Sequence, residues 1–351
     1  MLCIRDVLGG ERRGRLVAIG ETREIDVASH RPLRKYGVLS YEKAICRGRR
    51  SVDGRLWFVM IEESDGIILA EPRGFCAGVL RAVEMLDALL RDPGPPIYAL
   101  HAIVHNDRVV EDFKRRGVVF VEDLRSVPRG SSVVFSAHGV APAVEEEARS
   151  LGLQVVDATC PLVKKIHEKA SAFRDEGRTV VLIGHPEHPE IKGTLGFLGG
   201  AGRVVETVED AEAVEIPPGE SDNLACLTQT TLSPDDAEVV LDVLRRRFPA
   251  LCTMPGDDIC YATLERQRAA KELARRCPVV IVVGSDASSN SNRLREVCAR
   301  EGAEAYLVNS VDSIPSAVFG AEGGRHVGVT AGASVPEALV EEIVSYLRER
   351  L

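Results

Sequence analysis

Three of the nine cysteines differ from the rest. Cys76 lies in Gly74-Phe75-Cys76-Ala77-Gly78, where small neighbours leave room for a bulky partner at the sulfur. Cys160 precedes Pro161, so it falls at a helix N-cap with proline in the first helical position. Cys260 follows Asp257-Asp258-Ile259 and opens another helical stretch. A thiol at a helix N-terminus is expected to have a lowered pKa and to present a good thiolate to metal. The separations, 84 and 100 residues, are too wide for a local metal loop, and no CxxC pair exists. They suit three units that converge on one point. Thiolates without a carboxylate cage select iron–sulfur or zinc. Three ligands would leave one metal position open to a substrate. Cys226 in mid-strand, Cys277 at a strand start and Cys298 in a helix read as small buried hydrophobes. Cys252, eight residues before Cys260, is a less favoured fourth ligand.

A second group is polar and mostly neutral: His105, His138, His188, Thr228-Gln229-Thr230, Ser288-Ser289-Asn290 and Ser334. There is no Walker pattern and no GxGxxG. These residues suit a phosphate held by neutral donors and helix N-termini instead of a lysine clamp. Glu190, in His188-Pro189-Glu190, becomes a candidate proton donor if it is desolvated beside the anion and the metal. Taken singly, each of these residues is as well explained by turn or N-cap chemistry.

The elements that would position them alternate. Apolar, β-branched runs occur at 66–70, 96–105, 117–123, 132–139, 153–160, 179–185, 223–231, 278–285, 304–309 and 326–332. Continuous apolar runs suit strands buried on both faces. Between them lie stretches with helical periodicity: Val79, Val83, Leu86 and Leu90 share one stripe, and so do Val163, Ile166, Ala170 and Phe173. Strand–helix alternation predicts an α/β chain with parallel sheets. Ten strands exceed one comfortable sheet, so several small units are expected. Eight of the runs end in His, Cys, Ser, Thr or Asn, and ligands bind at the carboxyl ends of strands in such sheets. One central site shared between units follows.

Composition limits the function classes. The apolar set is 45% and charged residues are 28%, an ordinary globular balance. Aromatics are 5%, so the core must be aliphatic. A net charge of −9 argues against a nucleic-acid-coating protein. No apolar run approaches the roughly 20 residues of a membrane span. The first residues carry no apolar run with a cleavage site, which points to a cytoplasmic protein. Basic residues exceed acidic ones by 6 over residues 1–60, against a deficit of 15 over 61–351. Residues 1–64 therefore read as an N-terminal extension of unknown role, either a real arm or a stretch preceding a true start at Met60.

The segment 66–345 resembles the 4-hydroxy-3-methylbut-2-enyl diphosphate reductase family, also called the LytB family. The motifs are GFCAG (74–78), IVHN (103–106), SAHG (136–139), DATCP (157–161), GHPEHPE (184–190), TQTTLS (228–233), DDICYAT (257–263), SSNSNRL (288–294) and TAGAS (330–334), all in the family's order. The loop at 184–190 departs from a GHAGHPE-like pattern and adds His185 and Glu187 beside His188 and Glu190. The resemblance implies three small parallel-sheet α/β units in pseudo-threefold arrangement around a central iron–sulfur site. Their bounds would be 78–160, 161–256, and 257–345 with 65–77. It implies one 4Fe–4S cluster held by Cys76, Cys160 and Cys260 with one open iron. Glu190 would be the proton donor, and His105, His138, His188, Thr230, Ser288, Ser289, Asn290 and Ser334 would hold the substrate. The implied reaction is reductive dehydroxylation of an allylic diphosphate, fed by a one-electron donor protein, ferredoxin or flavodoxin. The competing readings are a cluster-based redox sensor and a diverged paralogue with another substrate. No nucleic acid or membrane partner is implied.

Overall fold

A computed structural model describes residues 25–26, 44–50, 56–64, 66–91, 94–253, 258–319 and 326–351, the first three segments by strand pairing alone. Within the extension, Ile25–Asp26 pairs antiparallel with Ala44–Arg50, Ile25 opposite Cys46. The remainder of the expected 1–64 extension, the strand Leu56–Ser64 apart, lies outside the described residues.

The body from residue 59 onward holds three four-stranded parallel sheets, as the alternation predicts. The first runs Val119–Val121, Ile97–Leu100, Ser132–Phe135, Gln154–Asp157 across its width. The second runs Arg203–Val205, Thr179–Ile183, Leu224–Thr228, Cys252–Thr253. The third runs Glu304–Val308, Val279–Val283, Val327–Ala331, Ile67–Glu71. The strand order, second–first–third–fourth, is therefore the same in each, except that the third sheet takes its fourth strand from before the first sheet. Residues Met60–Ser64 add an antiparallel strand on Ile67–Glu71.

All ten predicted strands form. Two strands of these three sheets were not predicted, Arg203–Val205 and Cys252–Thr253, because three and two residues are too short to show a period; nor were Ile25–Asp26, Ala44–Arg50 and Leu56–Ser64, in the stretch read as an extension. Both faces of every sheet are covered, which is why the strands read as unbroken apolar runs. In Val279–Val283, Val279, Ile281 and Val283 enter one apolar cluster and Val280 and Val282 the opposite one. Each such buried side chain contributes about 1.5–3 kcal/mol. The predicted stripes also hold: Val79 and Leu86 are buried on helix Ala77–Arg91, and Val163, Ile166 and Ala170 on helix Pro161–Asp175.

The units are joined in a particular way. A short loop leads from the fourth strand of each sheet to a helix that packs on the next sheet. Ile67–Glu71 leads to Ala77–Arg91, Gln154–Asp157 to Pro161–Asp175, and Cys252–Thr253 to Tyr261–Arg276. Those helices enter the apolar clusters of the first, second and third sheets respectively. Each connection carries one of the three singled-out cysteines.

Candidate active site

Cys76, Cys160 and Cys260 each stand directly before their helix. Their backbone N–H groups make one repeated bond. Cys160 donates to Ala137 O, Cys260 to Thr230 O and Cys76 to Ala333 O, all at 3.0 Å. Each acceptor lies in the loop after the third strand of its sheet. Cys76 Sγ accepts from Val79 N at 3.4 Å, and Cys260 Sγ from Thr263 N at 3.3 Å. A Cβ on Gly78 would lie 2.5 Å from Cys160 Sγ, so the first helix approaches that sulfur only because residue 78 has no side chain.

The expected lowering of the thiol pKa does not hold for Cys160 or Cys260. Burial pushes the Cys160 and Cys260 thiols up, and helix N–H donors offset it only in part. Any metal bound there would have to displace the protons that burial favours on these thiols.

Glu190 is 2% exposed. Its Oε1 accepts from Thr230 N and its Oε2 from Thr230 Oγ1, both at 2.7 Å. Burial raises its pKa to about 7 against these two donors. The neighbouring Glu187 is unlike it: its side chain is exposed and paired with Lys192. His185 pairs with Glu206. Solvation thus separates the two acids that the repeated His-Pro-Glu spacing leaves equivalent.

The three histidines form one cluster. Ring centroids lie 4.2 Å apart for His105 and His138, 5.5 Å for His105 and His188, and 5.6 Å for His138 and His188. Burial lowers the pKa of His105, holds that of His138 well below its usual value and brings that of His188 to about 3. All three are neutral at pH 7. His188 caps helix Pro189–Phe197, its Nδ1 accepting from Glu190 N at 3.2 Å. Ser136 Oγ shares a hydrogen bond with His138 Nδ1.

The remaining predicted residues join the same cluster. Ser334 Oγ donates to His105 O at 2.9 Å. Ser289 Oγ meets Thr231 Oγ1 at 3.3 Å, beside Thr230. Ser288 caps helix Ser289–Arg300, its Oγ accepting from Ser291 N. Asn290 is buried with neither amide atom hydrogen-bonded, and His105 Nε2 is likewise without a partner. Buried polar atoms are normally satisfied, so this concentration marks a place built for a ligand. A cleft of about 290 Å³ opens beside His188 and Ser289.

Several residues here were not anticipated. Arg266 is buried on the Cys260 helix, whose buried face is otherwise uncharged, mostly alanine with Thr263, Gln267 and Leu273; a lone arginine on such a face is the available signal. Lys169 Nζ donates to Asp258 Oδ1 at 2.7 Å in a buried pair, and Asp258 Oδ2 accepts from Thr228 N. The Lys169 partner, 89 residues away, leaves no local trace. Cys252 sits on the two-residue edge strand of the second sheet.

A sequence profile of the family described as LytB protein matches residues 67–348. The 4-hydroxy-3-methylbut-2-enyl diphosphate reductase of Bordetella pertussis is 52% identical over 284 residues, covering 81% of this chain and 86% of that one. That of Ectopseudomonas mendocina is 52% identical, covering 80% and 90%. The solved structure of the E-1-hydroxy-2-methyl-but-2-enyl-4-diphosphate reductase from Plasmodium falciparum superposes with a TM-score of 0.75 at 37% identity, over 80% of this chain and 86% of that one.

Proposed function

The chain belongs to the LytB family, and from that membership we propose how its own residues carry the family's reaction. Its activity is that of the relatives named 4-hydroxy-3-methylbut-2-enyl diphosphate reductase, at the end of the non-mevalonate pathway. The allylic alcohol takes up two electrons and two protons, its C–O bond breaks, and water and isopentenyl or dimethylallyl diphosphate leave.

Membership implies an iron–sulfur cluster. Cys76, Cys160 and Cys260 are proposed to hold it, as a 4Fe–4S cluster with one open iron. The donor set is three thiols at three helix N-termini. Three thiols with no carboxylate cage suit an iron–sulfur cluster, which takes each thiolate on a different iron. When bound, such a cluster supplies electrons and a Lewis acid for the substrate hydroxyl.

The other residues bind the substrate and move a proton. His105, His138 and His188 are kept neutral, so they hydrogen-bond a diphosphate without a fixed cation, and its charge raises their affinity for protons. The first turn of Ser289–Arg300, with Ser288, Ser289 and Asn290, supplies further neutral donors, and Ser334 lies against the His105 loop. With a pKa of about 7, Glu190 holds a proton in about half of the molecules at neutral pH. Thr230 Oγ, in contact with Glu190 Oε2, relays it to the leaving hydroxyl. The buried Glu190–Thr230 pair beside the unpartnered His105 and Asn290 atoms is the observation that carries this reading. Electrons arrive singly from a ferredoxin or flavodoxin in the cytoplasm. Among the described residues no helix is long and apolar enough to cross a membrane.

The test is anaerobic oxidation of a reduced viologen by reconstituted protein, with 4-hydroxy-3-methylbut-2-enyl diphosphate as substrate. Turnover is expected from the wild type and not from Cys160→Ser, whose iron content falls. A wild type with its full iron complement and no turnover would refute the substrate assignment.

A further inference from the structure

Arg266 has no part in the steps above, yet it is buried at their centre. It is 3% exposed, six residues after Cys260 on helix Tyr261–Arg276. Its Nη2 donates to Gly74 O at 2.8 Å, two residues before Cys76. Its Nη1 donates to Ala262 O at 3.0 Å, two residues after Cys260. Its Nε is buried with no hydrogen-bond partner. One planar side chain therefore ties together two of the three cysteine segments, which lie 192 residues from one another at the Arg266–Gly74 bond.

The charge is as informative as the fork. Both bonds end on backbone carbonyls, not on a carboxylate. Burial pulls the guanidinium pKa down, and the groups that offset it are, in order, Cys76, Cys260, Glu265 and Glu71. Glu71 is already paired with Arg73. A buried cation without a dedicated carboxylate is expensive unless another anion faces it. Three thiolates around a 4Fe–4S core in its 2+ state carry a net charge of −1, and each electron added makes it more negative by one.

We propose that Arg266 is a positioning residue for the cluster: its fork sets the spacing of the Cys76 and Cys260 segments, and its fixed charge favours the reduced state. The proposal rests on the assignment of the cluster to Cys76, Cys160 and Cys260. Arginine does both jobs because its charge does not titrate and its donors are preorganised.

The experiment is an anaerobic redox titration with dithionite, followed by the electron paramagnetic resonance of the reduced cluster, on wild type, Arg266→Gln and Arg266→Lys. Iron retention under a chelator is measured in parallel. Gln keeps an amide donor and loses the charge. At the wild-type midpoint its ratio of reduced to oxidised cluster is expected to fall at least tenfold, which for one electron is a midpoint about 59 mV lower. Lys keeps the charge and loses the fork, so its midpoint should stay near wild type while iron is lost faster. An unchanged midpoint in Arg266→Gln holding a full cluster overturns the proposal. If the Gln protein does not assemble a cluster, a tenfold shift in Arg266→Lys overturns it instead. A wild type that assembles no cluster overturns the cluster assignment and this proposal together, and is distinct from a full cluster indifferent to residue 266.

Discussion

Replacing Glu190 by glutamine removes one ionisable proton at a point where its cost can be worked out. Burial carries the carboxyl from 4.5 to about 7, some 2.5 pH units. At about 1.4 kcal/mol for each unit, keeping it ionised in the fold costs about 3 kcal/mol. An acid whose folded pKa is raised contributes stability that is full below about 4.5, declines as pH rises, and levels off above about 7. Glutamine cannot ionise, so the stability of Glu190→Gln relative to wild type should improve by about 3 kcal/mol between pH 4.5 and pH 8. The amide can still accept from Thr230 N, but its NH₂ now meets the Thr230 hydroxyl that donated to Oε2, a cost common to all pH values. Activity moves the other way. The wild-type kcat/KM should fall tenfold per pH unit above about 7, while the variant lacks that limb and is slower by about 10²–10⁴ at pH 7. The assays are urea unfolding at pH 5 and pH 8, and kcat/KM from pH 6 to 9 with the same substrate for both proteins, so that titration of the diphosphate cancels. A stability difference that is the same at both pH values, or turnover of the variant within tenfold of wild type, would refute the assignment of the proton to Glu190.

Gly78→Ala places a methyl group 2.5 Å from Cys160 Sγ at the start of a helix that otherwise tolerates alanine well. Loss of iron and activity with near wild-type thermal stability is expected, read by iron analysis and by the unfolding midpoint. Thr230→Val keeps the shape and the backbone donor while removing the hydroxyl that lowers the Glu190 pKa. Its kcat should fall at least tenfold, and the alkaline limb of its pH profile should move to higher pH.

Much of the architecture was legible because the sheets are buried on both faces. Ten aliphatic runs have no amphipathic ambiguity, and the polar residues that interrupt them fall at strand ends. The cysteines could be separated from their fellows by Pro161 after Cys160, by the helical stretch that Cys260 opens and by the small neighbours of Cys76, and the structure places all three directly before helices. What sequence could not supply is solvation. Glu187 and Glu190 share a His-Pro-Glu context, and only the fold makes one exposed and the other buried. The same blindness produced the wrong sign for Cys160 and Cys260: a helix N-terminus is visible in a sequence, whereas the burial that outweighs it is not. Arg266 and the Lys169–Asp258 pair were missed for a third reason, since their partners come from other units.

The repeated bond of the three cysteines explains why the site sits between units and not within one. Each cysteine is held by its backbone N–H to a third-strand loop of one sheet, while its helix is anchored in the apolar cluster of the next. The first sheet's loop also carries His138, the second sheet's loop carries Thr230, and the third sheet's loop carries Ser334. Every unit thus carries one thiol on the connection after its fourth strand and one polar group on its third-strand loop, and the cysteine N–H bond ties the two loops together. A shift of one unit against its neighbours would displace both together, which couples the proposed cluster ligands to the proposed substrate donors mechanically.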